Sequence, residues 1–151
     1  MSQIFKFTEH CQKWIVCLFF LIFLLTGILI FKDYGLSFDE PIYKKYGMLA
    51  TNLLKGDPAF FSYALRHQYH GTVVEIPLYC LESLLNLKDP QHIYWMRHFV
   101  NFLTFYFGVC FFYLLCELIF RNRMLSLLGC LFLILSPRIF ADAFYNSRDI
   151  P

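Results

Sequence analysis

The stretch WIVCLFFLIFLLTGILIF, from Trp14 to Phe31, runs for eighteen residues without a charged side chain. A helix rises about 1.5 Å per residue, so this stretch would span roughly 27 Å, close to the bilayer hydrocarbon core of about 30 Å. It is longer than the apolar region of a secretory signal peptide, and Lys32-Asp33-Tyr34 follows where a small-residue cleavage site would stand. The stretch therefore predicts a retained transmembrane helix.

The composition of the whole chain agrees with a membrane location. Of its 151 residues, 58% are hydrophobic, whereas soluble globular domains have about 45–50%. The net charge of +2 is small and scattered, which argues against nucleic acid as a partner. The six cysteines lie in or beside apolar runs without CxxC or Cys/His metal spacing, so we interpret them as packing residues.

Two more apolar runs follow later in the chain. Residues 98–120 are interrupted only by Asn101 and by Glu117, which lies one turn from the end, where a charge can reach the interface. The run Met124–Ser136 has 13 residues and crosses a bilayer only if it continues past Pro137. We therefore predict an all-α, polytopic membrane protein with about three transmembrane helices, near residues 14–31, 98–120 and 124–145.

A long segment of mixed charge, residues 33–97, separates the first two predicted spans. It is too long to be a loop without structure of its own. Apolar residues at helical spacing predict two amphipathic helices, Tyr43–Leu54 and Thr72–Leu87. Because Glu75 and Glu82 fall within the second, we expect that helix to lie at the membrane surface rather than to cross it.

The orientation follows from the short basic turn Arg121-Asn122-Arg123. Positively charged short loops favour the cytoplasmic side, so this turn and the N-terminus are predicted to be cytoplasmic. Three crossings then place residues 33–97 and residues 146–151, the start of a second outer loop, on the same outer side. The two most polar regions of the chain are therefore predicted to face one another.

Asp39 and Glu40 are adjacent carboxylates just beyond the first predicted span. In a partly desolvated groove such a carboxylate can serve as a general base for a substrate hydroxyl, or its oxygens can contribute to a divalent cation site. The alternative is structural, because Asp before Glu-Pro41 is typical of a helix start in which Asp39 caps the first turn. The sequence leaves both interpretations open.

Further polar clusters could bind a substrate. Residues 66–71, RHQYHG, contain His67 and His70 and suit an anionic phosphate or sugar hydroxyls, or else form an interfacial loop. No third ligand stands at a zinc-like spacing. Arg97 lies on the predicted outer side, against the positive-inside trend, which suggests either a bound anion or a side chain that extends to the interface.

The last cluster lies between residues 136 and 151. Arg138 and Asp142 are four residues apart and are predicted to pair along one helix face. Asp149 is predicted to lie in a loop. A purely structural loop is the alternative interpretation for this cluster.

These features together resemble the N-terminal part of a GT-C superfamily glycosyltransferase, in the group that contains protein O-mannosyltransferases and the lipid A aminoarabinose transferase. The resemblance rests on Phe38-Asp39-Glu40 with Tyr43 directly after the first span, and on the long first outer loop with two surface helices. It rests also on the run from Ser136-Pro137-Arg138-Ile139-Phe140 to Asn146-Ser147-Arg148-Asp149-Ile150-Pro151. It covers essentially the whole chain.

The resemblance implies transfer of a sugar, with inversion, from a polyprenyl-phosphate donor to a lipid, glycan or protein hydroxyl. This would occur at the outer face of a bacterial plasma membrane. It assigns Asp39 as the base, Glu40 to orienting a substrate and Asp149 to closing the site. Tyr43, together with His67 and His70, is a candidate for substrate binding; Arg97 and Arg138 are candidates for the donor phosphate. No cofactor is implied, and a divalent metal stays an open alternative.

Members of this superfamily usually have many more membrane helices, which complete the donor pocket. We therefore expect this chain to be the N-terminal part of a larger protein, or a truncated product, and to be inactive on its own. A non-catalytic small membrane subunit or scaffold is the main alternative. A transporter fragment is a weaker one, because its substrate groups would be expected near the middle of the bilayer.

Overall fold

The computed structural model describes residues 2–57 and 72–145, with side chains described from residue 10 onwards. Within these ranges the chain is helical and contains no strand. The prediction of an all-α fold is confirmed. The helices of the described ranges are α1 Ser2–Ile30, α2 Glu40–Leu54, α3 Glu75–Leu84, α4 Pro90–Phe120, α5 Arg123–Ile134 and α6 Pro137–Tyr145.

In the described part of the chain, two helices are long and apolar enough to cross a membrane. They are the part of α1 from His10 to Ile30 and the helix α4, whose most apolar 18-residue windows have mean hydropathies of 2.6 and 2.0. The pair α5 and α6 would be a third span if both belong to one crossing. The chain is therefore an integral membrane protein, with two or three candidate spanning helices among the residues that the structure describes.

The helix α4 begins at Pro90, eight residues before the apolar run that predicted it. Asp89 stands at the N-cap and accepts a hydrogen bond from the Gln91 amide at 3.1 Å, and proline at the first helical position favours a helix start. The 31 residues of α4 extend over about 46 Å, which exceeds the hydrocarbon core of about 30 Å. Its first turns can therefore carry polar side chains beyond the lipid.

The predicted third span, residues 124–145, is not one continuous helix. It bends by 70° between α5 and α6, as a broken span or a re-entrant loop does. Pro137 has no amide hydrogen and disfavours helical backbone in the residue before it, so α5 ends at Ile134 and α6 begins afresh at the proline. The Phe140 amide then donates to the Ser136 carbonyl at 3.0 Å.

The core forms around α4 and is largely aromatic. Phe102 of α4 is fully buried, stacks on Phe144 of α6 at 5.1 Å between ring centroids, and meets Phe23 of α1 edge-on at 5.6 Å. Gly27 leaves room for the Phe102 ring against the α1 backbone. Aromatic pairs of this kind add about 0.5–1.5 kcal/mol each beyond their buried area.

The amphipathic helices α2 and α3 pack on one another, and α3 packs on α4. The helix α2 meets α4 through Glu40 and His98. Gly47 of α2 allows the close approach, because a Cβ atom there would lie 2.5 Å from the Glu75 carbonyl oxygen of α3. The helix α3 is shorter than the predicted Thr72–Leu87. Its predicted surface position stays a prediction.

The cysteines are all free. Cys116 and Cys130 are buried in the helical core, as the packing interpretation requires. Cys11, Cys17 and Cys80 are exposed on the chain, so the packing interpretation is wrong for them within this molecule. An apolar run predicts that a residue avoids water, but it does not distinguish a protein neighbour from lipid.

Candidate functional site

A small open pocket lies where the loop after α1 meets the end of α6. Its volume is about 100 Å³, and its walls are Ser37, Phe38, Asp39, Tyr43 and Tyr145. The loop and the start of α2 supply one wall, and the last turn of α6 supplies the other. Polar residues from the loop after α1 and from the end of α6 therefore meet at one place.

Asp39 occupies the N-cap position of α2, as its sequence context predicts, but its side chain does not cap the helix. Its backbone is helical, with φ −90° and ψ −19°, whereas a capping residue usually has an extended backbone. The carboxylate is exposed and borders the pocket. The structural interpretation of Asp39 as a capping side chain is therefore wrong.

Glu40 is in the opposite situation, because it is buried to 2% exposure. One carboxylate oxygen, Oε1, lies 2.8 Å from Nε2 of His98 on α4. The other, Oε2, accepts a hydrogen bond from the Ser37 amide at 2.7 Å. Both oxygens are thus hydrogen-bonded within the chain, whereas the carboxylate of the neighbouring Asp39 is exposed. The two adjacent carboxylates therefore differ in their availability to a substrate.

Arg97 precedes His98 on α4 and is also buried, with 1% of its surface exposed. Its Nη2 atom donates to Oε2 of the fully buried Glu75 at the start of α3. Arg97 Nη1 and His98 Nδ1 have no hydrogen-bond partner in the described part of the chain. Because the guanidinium does not reach water, Arg97 does not extend to the interface as one interpretation required. Its predicted role in binding an anion stays a prediction.

Contacts of Phe144, the residue before Tyr145, hold the end of α6 in place. Asn101 of α4, 6% exposed, donates from Nδ2 to the Phe144 carbonyl at 3.1 Å. Tyr34, in the loop after α1, stacks on the Phe144 ring with 4.2 Å between centroids. Burial raises the pKa of the Tyr34 hydroxyl above its ordinary value.

Arg138, the other candidate for a phosphate, lies at the opposite end of α6. Its side chain is 92% exposed, and Nε lies 3.8 Å from Oδ2 of Asp142, so the predicted pair is formed but loose. Arg138 and Tyr145 are seven residues apart and therefore share one face of α6. The remaining candidates His67, His70 and Asp149 lie outside the described residues.

The amino-acid sequence does not reveal that Glu75 pairs with Arg97 and that Glu40 pairs with His98. The partners are 22 and 58 residues apart, so no spacing rule joins them. The sequence does contain a weaker signal, the presence of Glu75 in an apolar helix. A glutamate that becomes buried in such a helix is usually paired. In the sequence Glu75 favours a surface helix, whereas in the structure its carboxylate is buried against Arg97 of α4.

Among residues 2–57 and 72–145, no group of three His, Cys, Asp or Glu side chains could hold a metal ion. Comparisons with family models, with curated proteins and with solved structures find no match to this chain. Fold and site together define a class: an all-helical integral membrane protein with an exposed carboxylate in a small pocket beside two buried carboxylate–cation pairs.

Proposed function

We propose that this chain belongs to a GT-C-type membrane glycosyltransferase that uses a polyprenyl-phosphate sugar. The acceptor is a hydroxyl at the outer face of a bacterial plasma membrane, and the N-terminus is cytoplasmic. The observation that carries the proposal is the exposed carboxylate of Asp39, which does not cap α2 and lies in a pocket with Tyr43 and Tyr145. This is the carboxylate that the family resemblance assigns as the base.

The chemistry needs a carboxylate that is free to accept a proton. Asp39 takes the proton of the acceptor hydroxyl while the oxygen attacks the anomeric carbon, and the bond to the donor phosphate breaks. Attack from the face opposite the phosphate inverts the configuration. Tyr43 and Tyr145 supply aromatic walls and hydroxyl groups suited to a sugar or to the acceptor.

The departing phosphate needs a cation. Arg138 suits this role better than Arg97, because its guanidinium is 92% exposed whereas that of Arg97 is buried against Glu75. Guanidinium groups bind phosphate oxygens through paired hydrogen bonds. Arg138 shares its helix face with Tyr145, so a donor lying along α6 would reach both the cation and the pocket.

A lipid-linked donor also requires a site near the membrane surface, since its tail stays in hydrocarbon. Asp39 lies nine residues after Ile30, the last residue of α1, which supports a position near the membrane surface. Asp149, His67 and His70 remain candidates to complete the site. The larger protein that the resemblance implies would supply the rest of the donor pocket.

The test compares Asp39→Asn with the matched control Asp33→Asn, a second exposed aspartate in the same loop. Both are expressed in membranes with the coding sequence that follows in the genome, and transfer is measured from radiolabelled polyprenyl-phosphate hexoses and pentoses. Loss of a general base should lower kcat about 10²–10⁴-fold in Asp39→Asn only. Undiminished transfer by Asp39→Asn would exclude Asp39 as the base.

A non-catalytic subunit or scaffold is the second candidate. It is favoured by one observation, the exposed apolar side chains of the outer segment, with Phe38 at 90% and Val73 at 82% exposure. Exposed apolar groups of this kind suit a protein partner. Absence of transfer with every donor, together with copurification of one membrane protein that Phe38→Ser abolishes, would support this candidate instead.

A further inference from the structure

We propose that His98 and Asn101, one turn apart on α4, set the geometry of the pocket by each fixing one of its walls. The claim that they do so for a catalytic base rests on the proposed function of Asp39. The geometric part of the proposal does not, and it can be tested without activity. In these terms His98, Asn101 and Glu40 are positioning residues.

The first wall is fixed through Glu40. Its carboxylate links the Ser37 amide, at 2.7 Å, to His98 Nε2, at 2.8 Å. The two residues between Ser37 and Glu40 are Phe38 and Asp39. The hydrogen bond from the Ser37 amide to Glu40 therefore closes a four-residue turn, the bracket, which contains the pocket residue Asp39. His98 connects this bracket to α4. Both Glu40 and His98 are at least 98% buried, so water competes little for their hydrogen bond.

The second wall is fixed through Asn101. Its side-chain amide donates to the Phe144 carbonyl at 3.1 Å, one residue before Tyr145 in the opposite wall. Residues three apart lie on the same face of a helix, so His98 and Asn101 project from α4 in a similar direction. One helical turn of α4 thus contacts both the segment that carries Asp39 and the segment that carries Tyr145.

This arrangement changes the role of Glu40. The resemblance assigns it to orienting a substrate, but both of its oxygens are engaged with groups of the chain. Its effect on a reaction would therefore be indirect, through the position of Asp39. Displacement of a catalytic group by about 1 Å can cost about 100-fold in rate, so the bracket would matter to activity without contacting substrate.

The first experiment measures geometry alone. In full-length chain with its six native cysteines replaced by serine or alanine, Asp39→Cys and Tyr145→Cys are treated in membranes with bifunctional thiol reagents of increasing length. We expect one preferred reagent length in this parent. In His98→Leu a wider range of reagent lengths should cross-link the two cysteines. In His98→Gln, which keeps an N–H donor, the single preferred length should be retained.

The matched control is Lys44→Gln, which removes a 2.9 Å ion pair with Glu82 between α2 and α3 but leaves α4 untouched. Its cross-linking should equal that of the parent. If His98→Leu does not fold, as judged by its elution in detergent, Glu40→Gln takes its place. That variant keeps only one acceptor oxygen for two donors and should broaden the preference as well. A parent-like preference in the folded His98→Leu or Glu40→Gln variant would overturn the proposal.

The second experiment measures sugar transfer in protein with its native cysteines and with Asp39 and Tyr145 restored. We expect His98→Leu to lower kcat about 100-fold with KM nearly unchanged, and His98→Gln to recover most of the rate. If Asp39→Asn retains transfer while cross-linking depends on His98, the proposed function fails and the positioning of the walls stands. If Asp39→Asn loses transfer but the cross-linking preference is unchanged by substitution of His98, only the positioning inference fails.

Discussion

At the scale of single residues, the adjacent carboxylates Asp39 and Glu40 have opposite environments. Successive residues of a helix point about 100° apart, so one side chain faces the pocket and the next faces α4. The exposed Asp39 is available for chemistry, whereas Glu40 contributes to structure through His98. Chemical identity alone does not separate such neighbours, and the partner of Glu40 is 58 residues away.

The buried pair of Arg97 and Glu75 allows a prediction about stability. Removing one partner of a buried ion pair is strongly destabilising, so Arg97→Met should lower the free energy of unfolding by about 3–5 kcal/mol. Replacing both partners by apolar residues, as in Arg97→Met with Glu75→Leu, should recover most of this loss. Denaturation in mixed detergent micelles measures both variants.

Arg138→Met serves as the control for this pair. Its side chain is 92% exposed, so the free energy of unfolding should change by less than about 0.5 kcal/mol. If the double variant at Arg97 and Glu75 is as unstable as the sum of its two single variants, the two side chains are not coupled. The assignment of a stabilising buried pair would then be wrong.

At the scale of elements, the contact between α1 and α4 depends on Gly27. A Cβ atom there would lie 1.9 Å from Cζ of Phe102, and that ring is enclosed by Phe23 and Phe144. Gly27→Ala must therefore displace a packed aromatic ring, and we expect it to cost about 1–3 kcal/mol of unfolding free energy. Detergent denaturation followed by tryptophan fluorescence measures the change.

Gly108, in the middle of α4, is the matched control for Gly27. A Cβ atom at this position would meet nothing within 4 Å. Alanine is the better helix former by about 1 kcal/mol, so Gly108→Ala should leave stability unchanged or raise it slightly. Equal destabilisation by both alanine variants would show that the Phe102 contact is not the cause.

At the scale of the whole molecule, the orientation in the membrane is open to direct measurement. The basic turn at residues 121–123 predicts a cytoplasmic N-terminus and an outer α2–α3 region. In intact cells, a membrane-impermeant maleimide should therefore label Cys80, which is exposed on α3, in a variant whose other cysteines are replaced. A single cysteine introduced as Ser2→Cys should react only after the cells are opened.

The same measurement can contradict the proposed site. If Ser2→Cys is labelled in intact cells and Cys80 is not, the orientation is reversed. Asp39 would then face the cytoplasm. A lipid-linked donor presented at the outer face could not reach it, and the proposed reaction would need a cytoplasmic donor.

The local pattern of the sequence predicted the all-α class and most of the helices, although not all of their bounds. Apolar runs of membrane length, proline and Asp-Pro boundaries and helical spacing depend on neighbours within a few turns, so they can be interpreted without a fold. They predicted the spans of α1 and α4 and the position of α2. They also marked Pro137 as an obstacle to a third crossing, although not the 70° bend that the structure has there.

Only the tertiary structure decided which polar residues are free and which are paired. Burial and ion pairing are properties of contacts between distant segments, and helix spacing carries no information about which face another helix will cover. For this reason the exposed Asp39, the buried Glu40–His98 and Glu75–Arg97 pairs, and the meeting of Asp39 with Tyr145 could not be derived from the sequence alone. The Asp39-Glu40 motif was apparent in the sequence, and the packing of α2, α3 and α6 against α4 determined the separate environments of its two carboxylates.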